Sequence, residues 1–461
     1  MNIASFLDRP AALEPDRAAL VIDDGTVVSY GALAESAAAF ASALAAHGVR
    51  GGDRIALIEW GGLRSAALTM AAAHLGAASA HMNPLLTPGE ISALEGISGC
   101  VHLDVAKIEP AEGVDPPPRG EGDESPAVVL FTSGTTGLPK PVAISHSAIS
   151  ARVGAYRPAF DPVRPPSVSI MCMPSFHVGG LLGLLLSLWA GDTTVVQRRF
   201  DAGRWLELVA EHGVQSAMVV PTMLTRILDH PAFPATDLSS LAMVSYGAAA
   251  APEDLVRRAM AAMPHAGFAN VFGQTETLGA YTTLSPDDHR DERRIGSVGR
   301  PLPGVRLRVV DPSSGVDLDP GEVGELWVDS PQNVEPGWLR TGDLVRVDAD
   351  GYVYPVGRQS DTINRGGEKF GPAEIATVVA THPSVREAAV AGVPDAEMGE
   401  RVGVLVVARG DGPTPTIDEL RAWCRPHLAS FKLPEFVVAV DALPYNELGK
   451  LPKRAIVEAL V

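Results

Sequence analysis

The chain has 461 residues, which is too many for a single hydrophobic core and predicts several domains or subdomains. Hydrophobic residues make up 46% and charged residues 20%, as in ordinary globular proteins. The formal net charge of −18, with no basic block to offset it, argues against nucleic acid as a partner.

Cysteine usage and the apolar segments bear on the cellular compartment. Cys100, Cys172 and Cys424 are far apart, odd in number and without metal-binding spacing, which favours a reduced, cytoplasmic location. The N-terminal segment has no basic stretch followed by an apolar core, so we expect no signal peptide. The most apolar run, residues 181–190, is shorter than the roughly 20 residues that span a bilayer, so we expect a buried helix and no membrane span.

Alternating helix and strand patterns in the first hundred residues predict a layered α/β fold. One helix is expected to begin at Pro88, because Thr87 is a good N-cap and proline suits the first helical position. Residues 106–126 are rich in proline, glycine and acid and are expected to form a surface linker. The other expected elements are, in order, helix 32–47, strand 54–60, helix 64–75 and strand 78–82.

The same alternation continues beyond residue 145, and short strands with turn residues from 298 to 356 predict a small β-rich subdomain. We therefore predict an α/β protein. A large N-terminal domain of layered α/β subdomains plus the β-rich subdomain would cover residues 1–357, and a small α+β C-terminal domain would cover 358–461. The expected strands include 168–173, 193–196, 217–220, 242–246 and 269–272, and the expected helices include 180–189, 202–212, 224–230, 252–263 and 372–381.

The stretch with the strongest chemical signal is residues 132–140, TSGTTGLPK, which lies between two apolar β-type runs. Glycines let a backbone turn its N–H groups toward an anion, and hydroxyls and an ammonium add further donors. The loop differs from the usual P-loop, because Lys140 is followed by Pro141. Taken alone, such a loop is more often an ordinary turn. The candidate phosphate ligands are Thr132, Ser133, Gly134, Thr135, Thr136, Gly137 and Lys140.

The order of residues in this string resembles the phosphate-binding signature of the adenylate-forming superfamily. That superfamily contains acyl-CoA synthetases, adenylation domains of non-ribosomal peptide synthetases, and luciferases. Residues 28–57 and 74–91 are also similar to the opening of acyl-CoA synthetases. The resemblance implies that the loop at 132–140 binds the phosphates of ATP.

A second motif is residues 270–277, NVFGQTET, where a strand leads into a turn. Phe272 could stack on a base, Thr275 could donate to a phosphate and Glu276 could hold Mg²⁺, although alone the motif fits a core phenylalanine and a solvated glutamate. It resembles the superfamily's aromatic-Gly-x-Thr-Glu motif. The resemblance implies that Glu276 binds the metal together with Thr132.

The resemblance also places Gly273, within the same motif, beside both the nucleotide and the acid. Upstream, residues 246–250, YGAAA, look like the Gly-Ala-rich segment that lines the adenine pocket. Gly247 and Ala248 are the nucleotide contacts implied there.

A third motif is residues 338–343, WLRTGD, followed by a β-type run that ends at Arg358. An ionised aspartate is suited to accept both hydroxyls of a ribose, although an aspartate in a turn is usually only a local cap. The resemblance implies that Asp343 binds the ribose and that Arg358 is a second contact to the nucleotide.

Residues 357–369, GRQSDTINRGGEK, are similar to the superfamily's hinge and the loop that follows it; alone they would read as a polar linker. Members rotate a mobile C-terminal domain about this hinge, and the loop then reaches the active site for the thiol step. The implied hinge is Ser360, where the family usually has Asp or Lys, and the implied loop residues are Gly366 and Gly367.

Near the C-terminus, residues 444–453, PYNELGKLPK, resemble the superfamily's closing Gly-Lys motif. Such a lysine is normally a solvated charge, but the resemblance makes Lys450 the catalytic lysine. One long cation that touches both the carboxylate and the α-phosphate would offset their repulsion. His177, in a segment similar to the Pro-x-Phe-His-x-x-Gly of acyl-CoA synthetases, is implied as a substrate-pocket residue, while its ordinary role would be capping or core packing.

Five signatures in family order predict an AMP-forming acyl-CoA synthetase that uses ATP, Mg²⁺ and coenzyme A. It would convert a carboxylic acid to acyl-AMP with release of pyrophosphate and then transfer the acyl group to CoA. One alternative is a stand-alone enzyme that loads a separate phosphopantetheinyl carrier protein. Another is a non-catalytic nucleotide-binding homologue, against which the intact Lys140, Glu276, Asp343 and Lys450 argue. The acid pocket is expected around residues 176–183, 218–224, 246–250 and 268–279.

Overall fold

The computed structural model describes residues 1–101, 103–111, 113–132, 139–366, 368–410, 412–446 and 449–461, without the side chain of Lys369. The chain folds into two compact units. The first contains residues 1–290 and 330–337, and the second contains residues 291–329 and 338–461. The division into domains 1–357 and 358–461 remains a proposal, and its boundary lies within the second unit.

The first unit contains two sheets built mostly from parallel strands. Its strands are β1 (Ala18–Ile22), β2 (Val27–Ser29), β3 (Arg54–Leu57), β4 (Ala78–His81), β5 (Pro126–Thr132), β6 (Lys140–Ser145), β7 (Val168–Met171), β8 (Thr193–Val196), β9 (Ser216–Val219), β10 (Met243–Gly247), β11 (Gly267–Gln274) and β12 (Gly279–Leu284). One sheet has the order β12-β11-β10-β9-β7-β8-β1-β2 within this unit, and the other has the order β3-β4-β5-β6.

Helices alternate with these strands, as the sequence pattern predicts. They are α1 (Asp8–Leu13), α2 (Tyr30–Ala46), α3 (Leu63–His74), α4 (Pro88–Ser98), α5 (His146–Tyr156), α6 (Val178–Ala190), α7 (Ala202–His212), α8 (Pro221–Asp229) and α9 (Glu253–Ala262).

Local chemistry explains several helix ends and contacts. Helix α4 begins as predicted, with a capping box in which Thr87 and Glu90 each accept a hydrogen bond from the other's backbone N–H. Alanines of α3 such as Ala67 and Ala71 are fully buried in the core that also holds α2, and small side chains let packed elements approach closely. Within the described residues, no helix is both long and apolar enough to cross a bilayer.

The segment expected to be a surface linker is fastened to the first unit at several points. Gly120 donates from its backbone N–H to the His74 carbonyl at 2.7 Å, and Arg119 pairs with Asp8 at 2.6 Å. Asn2 donates from its side chain to the Gly120 carbonyl at 3.2 Å. These contacts hold the described residues at the C-terminal end of the segment on the first unit.

The second unit contains two antiparallel-rich sheets. Its strands are β13 (Arg300–Pro301), β14 (Arg306–Val310), β15 (Val323–Asp329), β16 (Leu339–Val347), β17 (Val353–Arg358), β18 (Ile363–Arg365), β19 (Glu368–Phe370), β20 (Val385–Asp395), β21 (Gly399–Ala408) and β22 (Phe436–Ala439). Its helices are α10 (Pro372–Ala380), α11 (Ile417–Cys424) and α12 (Lys453–Leu460). One sheet has the order β14-β15-β16-β17, and the other has the order β19-β18-β21-β20 with β22 paired to β21.

Strand β21 shows why the second of these sheets is covered on both faces. Val404 and Val406 belong to the core cluster that includes α10 and α11 residues. Leu405 and Val407 belong to a separate cluster that includes Ile456 of α12. Side chains of a strand alternate between its two faces, so an unbroken apolar run requires a layer on each side.

Candidate active site

The β5–β6 hairpin holds the two described ends of the predicted phosphate loop. Thr132, the last residue of β5, pairs in register with Lys140, the first residue of β6. The expected ligands Ser133, Gly134, Thr135, Thr136 and Gly137 lie outside the described residues. A hydroxyl and a lysine therefore stand on neighbouring strands at the start and end of the loop.

Thr132, at the end of β5, and Glu276, in the turn between β11 and β12, are brought together in the first unit. Thr132 Oγ1 donates to Glu276 Oε1 at 3.3 Å, and the Glu276 carbonyl accepts from the Val334 backbone N–H at 2.9 Å. Among the described residues, no three or more His, Cys, Asp and Glu side chains cluster as a metal site. Mg²⁺ at phosphate sites needs only one or two protein ligands beside the phosphates and waters, so this pair fits that ion.

The neighbouring motif glycines are required by close backbone contacts. A side chain on Gly247 would place its Cβ 2.1 Å from the Val271 carbonyl oxygen of the adjacent parallel strand. On Gly273, Cβ would lie 2.0 Å from the Gly279 carbonyl oxygen, beside a register shift between β11 and β12. Ala248 follows with a φ of 64°, which costs an alanine on the order of 1 kcal/mol.

Aromatic packing fixes the strands that carry this motif. The Phe272 ring lies 5.2 Å from the Tyr281 ring in a T-shaped arrangement. Beneath Gly247, the buried Tyr246 hydroxyl and His289 Nε2 lie 2.9 Å apart, and His289 Nδ1 lies 2.7 Å from the Ser285 carbonyl oxygen. This buried Tyr–His pair was not predicted, because nothing in the residues around His289 indicates a partner 43 positions away.

His177 lies at the N-cap of α6, where the resemblance places the acid pocket. Its ring is 4.5 Å from the Phe176 ring, which in turn is 5.7 Å from the Trp60 ring. Gly180, in the first turn of α6, has no space for a side chain because Cβ would lie 2.3 Å from the Pro174 carbonyl oxygen. The loop before α6 is therefore tightly folded around an aromatic cluster.

Within the second unit, Asp343 and Arg358 form an ion pair. They face each other in register across β16 and β17, and Arg358 Nε donates to Asp343 Oδ1 at 2.7 Å. Asp343 is buried, and burial raises the pKa of this carboxyl above its ordinary value. The positive charges of Arg358 and Lys450 lower the pKa of Asp343 and so partly offset that effect.

Lys450 itself is exposed, and its backbone is hydrogen-bonded to Asn446. Its N–H donates to Asn446 Oδ1 at 2.9 Å, and its carbonyl accepts from the Asn446 N–H at 2.8 Å. The second unit therefore brings the predicted ribose ligand and the predicted catalytic lysine close enough for one charge to act on the other.

The predicted hinge and thiol-step loop also belong to the second unit. Ser360 is exposed, and its carbonyl accepts from Lys453 Nζ at 3.4 Å. Gly366 has a φ of 61° and donates from its N–H to the Met398 carbonyl at 2.8 Å. Gly367 lies outside the described residues. The hinge and loop roles stay predictions.

One buried side chain of the first unit was not predicted from the sequence. Arg152, on α5, is only 1% exposed, and its Nη2 donates to the Ala280 carbonyl at the start of β12. An arginine in a helix normally lies at the surface, and the neighbouring residues ISARVGAY give no signal that this one is enclosed.

Comparison with known proteins identifies the family. The family described as AMP-binding enzyme matches residues 7–103 and 98–338, and the AMP-binding enzyme C-terminal domain matches residues 374–450. A fatty acid–[acyl-carrier-protein] ligase, ScoC, of Streptomyces coeruleorubidus is 32% identical, with 95% of this chain and 92% of the relative covered. A feruloyl-CoA synthase of an Amycolatopsis species is also 32% identical, with 98% of each chain covered.

Among solved structures, o-succinylbenzoate CoA synthetase (MenE) of Bacillus subtilis in complex with its acyl-adenylate intermediate gives a TM-score of 0.85 at 28% identity. That alignment covers 98% of this chain and 97% of the other. The same synthetase has also been solved in complex with ATP and magnesium ion, with a TM-score of 0.83 at 29% identity. These findings confirm the predicted superfamily, the α/β fold class with a large N-terminal and a small C-terminal domain, and the predicted class of AMP-forming acid–thiol ligases. The chain belongs to the AMP-binding enzyme family.

Proposed function

We propose that this enzyme activates a carboxylic acid with ATP and transfers the acyl group to the thiol of coenzyme A. In the first step, a carboxylate oxygen attacks the α-phosphorus of ATP, and the bond to pyrophosphate breaks to leave acyl-AMP. In the second step, the thiol sulfur attacks the acyl carbon, its proton is lost, and AMP leaves. The observation that carries this proposal is the 2.7 Å ion pair between Arg358 and Asp343, in a chain that matches both AMP-binding enzyme domains.

The proposed roles in the second unit follow from that arrangement. Asp343 accepts hydrogen bonds from the ribose hydroxyls, and Arg358 orients its carboxylate and adds a contact to the nucleotide. Lys450 contacts the reacting carboxylate and the α-phosphate and stabilises the charge that moves toward pyrophosphate. Ser360 serves as the hinge, and Gly366 with Gly367 forms the loop used in the thiol step.

The proposed roles in the first unit concern the phosphates, the base and the acid. Thr132 and Glu276 would hold Mg²⁺, which neutralises phosphate charge when bound. Phe272 stacks near the base, and His177 lines the acid pocket. The remaining proposed nucleotide contacts are Ser133, Gly134, Thr135, Thr136, Gly137, Lys140, Gly247, Ala248, Gly273 and Thr275; Gly273 also borders the acid.

A second acceptor is favoured by one specific observation, the 32% identity with an acyl-carrier-protein ligase over 95% of the chain. In that case the thiol would belong to the phosphopantetheine of a separate carrier protein. We also propose a cytoplasmic location, because Cys100, Cys172 and Cys424 are all free thiols.

The experiment is carboxylate-dependent pyrophosphate release over short, medium, long-chain, aryl and dicarboxylic acids. Each acid is tested alone, with CoA, and with a phosphopantetheinylated carrier protein. Release that accelerates with CoA and yields acyl-CoA supports the proposal. If only the carrier protein accelerates release, the carrier protein and not CoA is the acceptor. No release with any acid contradicts the proposed activity.

A further inference from the structure

Arg152 carries a charge that the described part of the protein leaves uncompensated. The residue is 1% exposed, its Nη2 donates to the Ala280 carbonyl, and its guanidinium lies 4.6 Å from the Tyr156 ring centre. Its Nε is buried and has no hydrogen-bond partner among the described residues. A neutral carbonyl and one aromatic ring are therefore the groups seen to interact with a full positive charge.

Two other arginines close to it in sequence are more exposed and nevertheless have a carboxylate partner. Arg157 and Arg164 both pair with the buried Asp192, at 3.1 and 2.8 Å. No described carboxylate pairs with Arg152 in this way. Arginine keeps its proton in proteins, and an unpaired buried charge is expensive, so the missing anion is expected to come from a ligand.

The position of the guanidinium indicates which ligand. A side chain on Gly279 would place its Cβ 3.4 Å from Arg152 Nη2 and 3.3 Å from Leu182 Cδ2. Ala280, which accepts the hydrogen bond from Arg152, pairs in register with Gly273. Both Gly273 and the N-terminal part of α6 belong to the segments expected to border the acid. Arg152 therefore lies next to two segments that are expected to border the acid, within the first unit.

We propose that Arg152 binds a second carboxylate of the acid substrate, at the end of the molecule away from the carboxylate that is activated. The preferred substrates would then be dicarboxylic acids, of which one end is activated and the other is held. This inference rests on the proposed function. The planar guanidinium presents paired N–H donors that match a carboxylate, and such charge-assisted hydrogen bonds are the strong ones.

The test uses pairs of acids that differ only at the far end: hexanoate with adipate, octanoate with suberate, and benzoate with terephthalate. In the wild-type enzyme, kcat/KM for pyrophosphate release should be about tenfold or more higher for the diacid of at least one pair, as hydrogen bonds to charged groups allow. In Arg152→Met, KM for that diacid should rise about tenfold or more, while the monoacid changes less than about twofold. Arg152→Lys should retain part of the preference.

The matched control is Arg258→Met, because Arg258 is an exposed arginine of α9 that pairs with Asp229 at the surface. It should leave every acid pair unchanged. A wild-type preference for the monoacid in all pairs overturns the proposal, even if no variant folds. Equal losses on both members of a pair in Arg152→Met and Arg152→Lys also overturn it, because they indicate a structural role.

Direct binding separates this proposal from the proposed function. If no acid supports pyrophosphate release, the proposed activity is wrong. Calorimetric titration of the diacids into the wild-type protein and Arg152→Lys still tests whether Arg152 binds a carboxylate. Diacid binding that weakens about tenfold in Arg152→Lys, with no change for the monoacid, supports the assignment. Diacid binding that is absent or equal in both proteins overturns it.

Discussion

Arg358 Nε donates to Asp343 Oδ1 at 2.7 Å, and strand register sets the two residues directly opposite each other. Because the pair sits at matching positions of β16 and β17, the sheet itself fixes the direction of the carboxylate. A carboxylate has about four acceptor sites, so the contact with Arg358 leaves Asp343 able to accept from a ligand as well.

We expect Asp343→Asn to raise KM for ATP by about tenfold or more with a smaller effect on kcat, because hydrogen bonds to an ionised acceptor are replaced by weaker ones. The wild-type enzyme should prefer ATP to its deoxyribose analogue, and the variant should lose this preference. Asp319→Asn, an exposed site in the same unit, should change neither value. An unchanged sugar preference in Asp343→Asn would remove the ribose assignment.

Lys450 should matter for chemistry and little for nucleotide binding. In Lys450→Ala, acid-dependent pyrophosphate release should fall by about a hundredfold or more, since preorganised charge stabilisation contributes on that scale. The Kd for ATP, measured by titration, should stay within about threefold. Lys107→Ala serves as the control, because the Lys107 side chain is 84% exposed. Adenylation at the normal rate in Lys450→Ala would show that another group is the catalytic lysine.

Glu276 should set the magnesium requirement. We expect Glu276→Gln to raise the Mg²⁺ concentration for half-maximal pyrophosphate release by about tenfold, because a carboxylate ligand is exchanged for a neutral amide. Excess Mg²⁺ should restore much of the rate. Glu109→Gln, at an exposed position, should keep the wild-type curve. If the Mg²⁺ dependence of Glu276→Gln is the same as that of the wild type, other residues bind the metal.

Gly273 should tolerate no side chain. Because Cβ would lie 2.0 Å from the Gly279 carbonyl oxygen, Gly273→Ala should lower the free energy of unfolding by about 1–3 kcal/mol. Gly96→Ala gives the contrast, since a Cβ on this exposed residue of α4 meets nothing within 4 Å. It should stabilise the protein by about 0.5–1 kcal/mol. Denaturant unfolding of both variants checks the pair, and equal effects would contradict the steric argument.

Two buried histidines should make the first unit sensitive to acid. Burial lowers the pKa of His81 and of His146 from 6.5 to about 4. The unfolded chain then binds more protons than the folded one between about pH 6.5 and 4, so stability is full above that window and falls as the pH drops through it. His81→Gln should reduce the loss of stability on acidification, and His427→Gln, at an exposed position, should not. The measurement is the unfolding midpoint at several pH values across that range. If the midpoint depends on pH in His81→Gln as it does in the wild type, the argument is contradicted.

Elements with strong local signals were predictable from sequence. Helix α7 was placed at its observed bounds, because Asp201 caps its start and Gly213 ends it in the left-handed conformation. The start of α4 was equally predictable, because Thr87 is a good N-cap and Pro88 suits the first helical position. Short strands such as β18 and β22 were not predicted, because three or four residues carry too little periodicity and their pairing depends on β21.

The candidate site shows the same division. Asp343, Glu276 and Lys450 could be proposed from sequence because each lies in a contiguous motif. The enclosure of Arg152 was not predictable, since it depends on α6 and β12 packing over α5 from 30 and 128 residues away along the chain. A charge becomes informative only when its surroundings exclude water, and those surroundings are set by tertiary contacts.

The close backbone contacts at Gly247 and Gly273 bear on how these motifs should be used to recognise activity in other chains. Both glycines are fixed by carbonyl oxygens of neighbouring strands, so a descendant that had lost catalysis would still need them in order to fold. The presence of these glycines therefore indicates that a chain has inherited the fold, and it does not indicate activity. Side chains that the fold does not require, such as the ammonium of Lys450, are the positions at which an inactive descendant would first be free to drift.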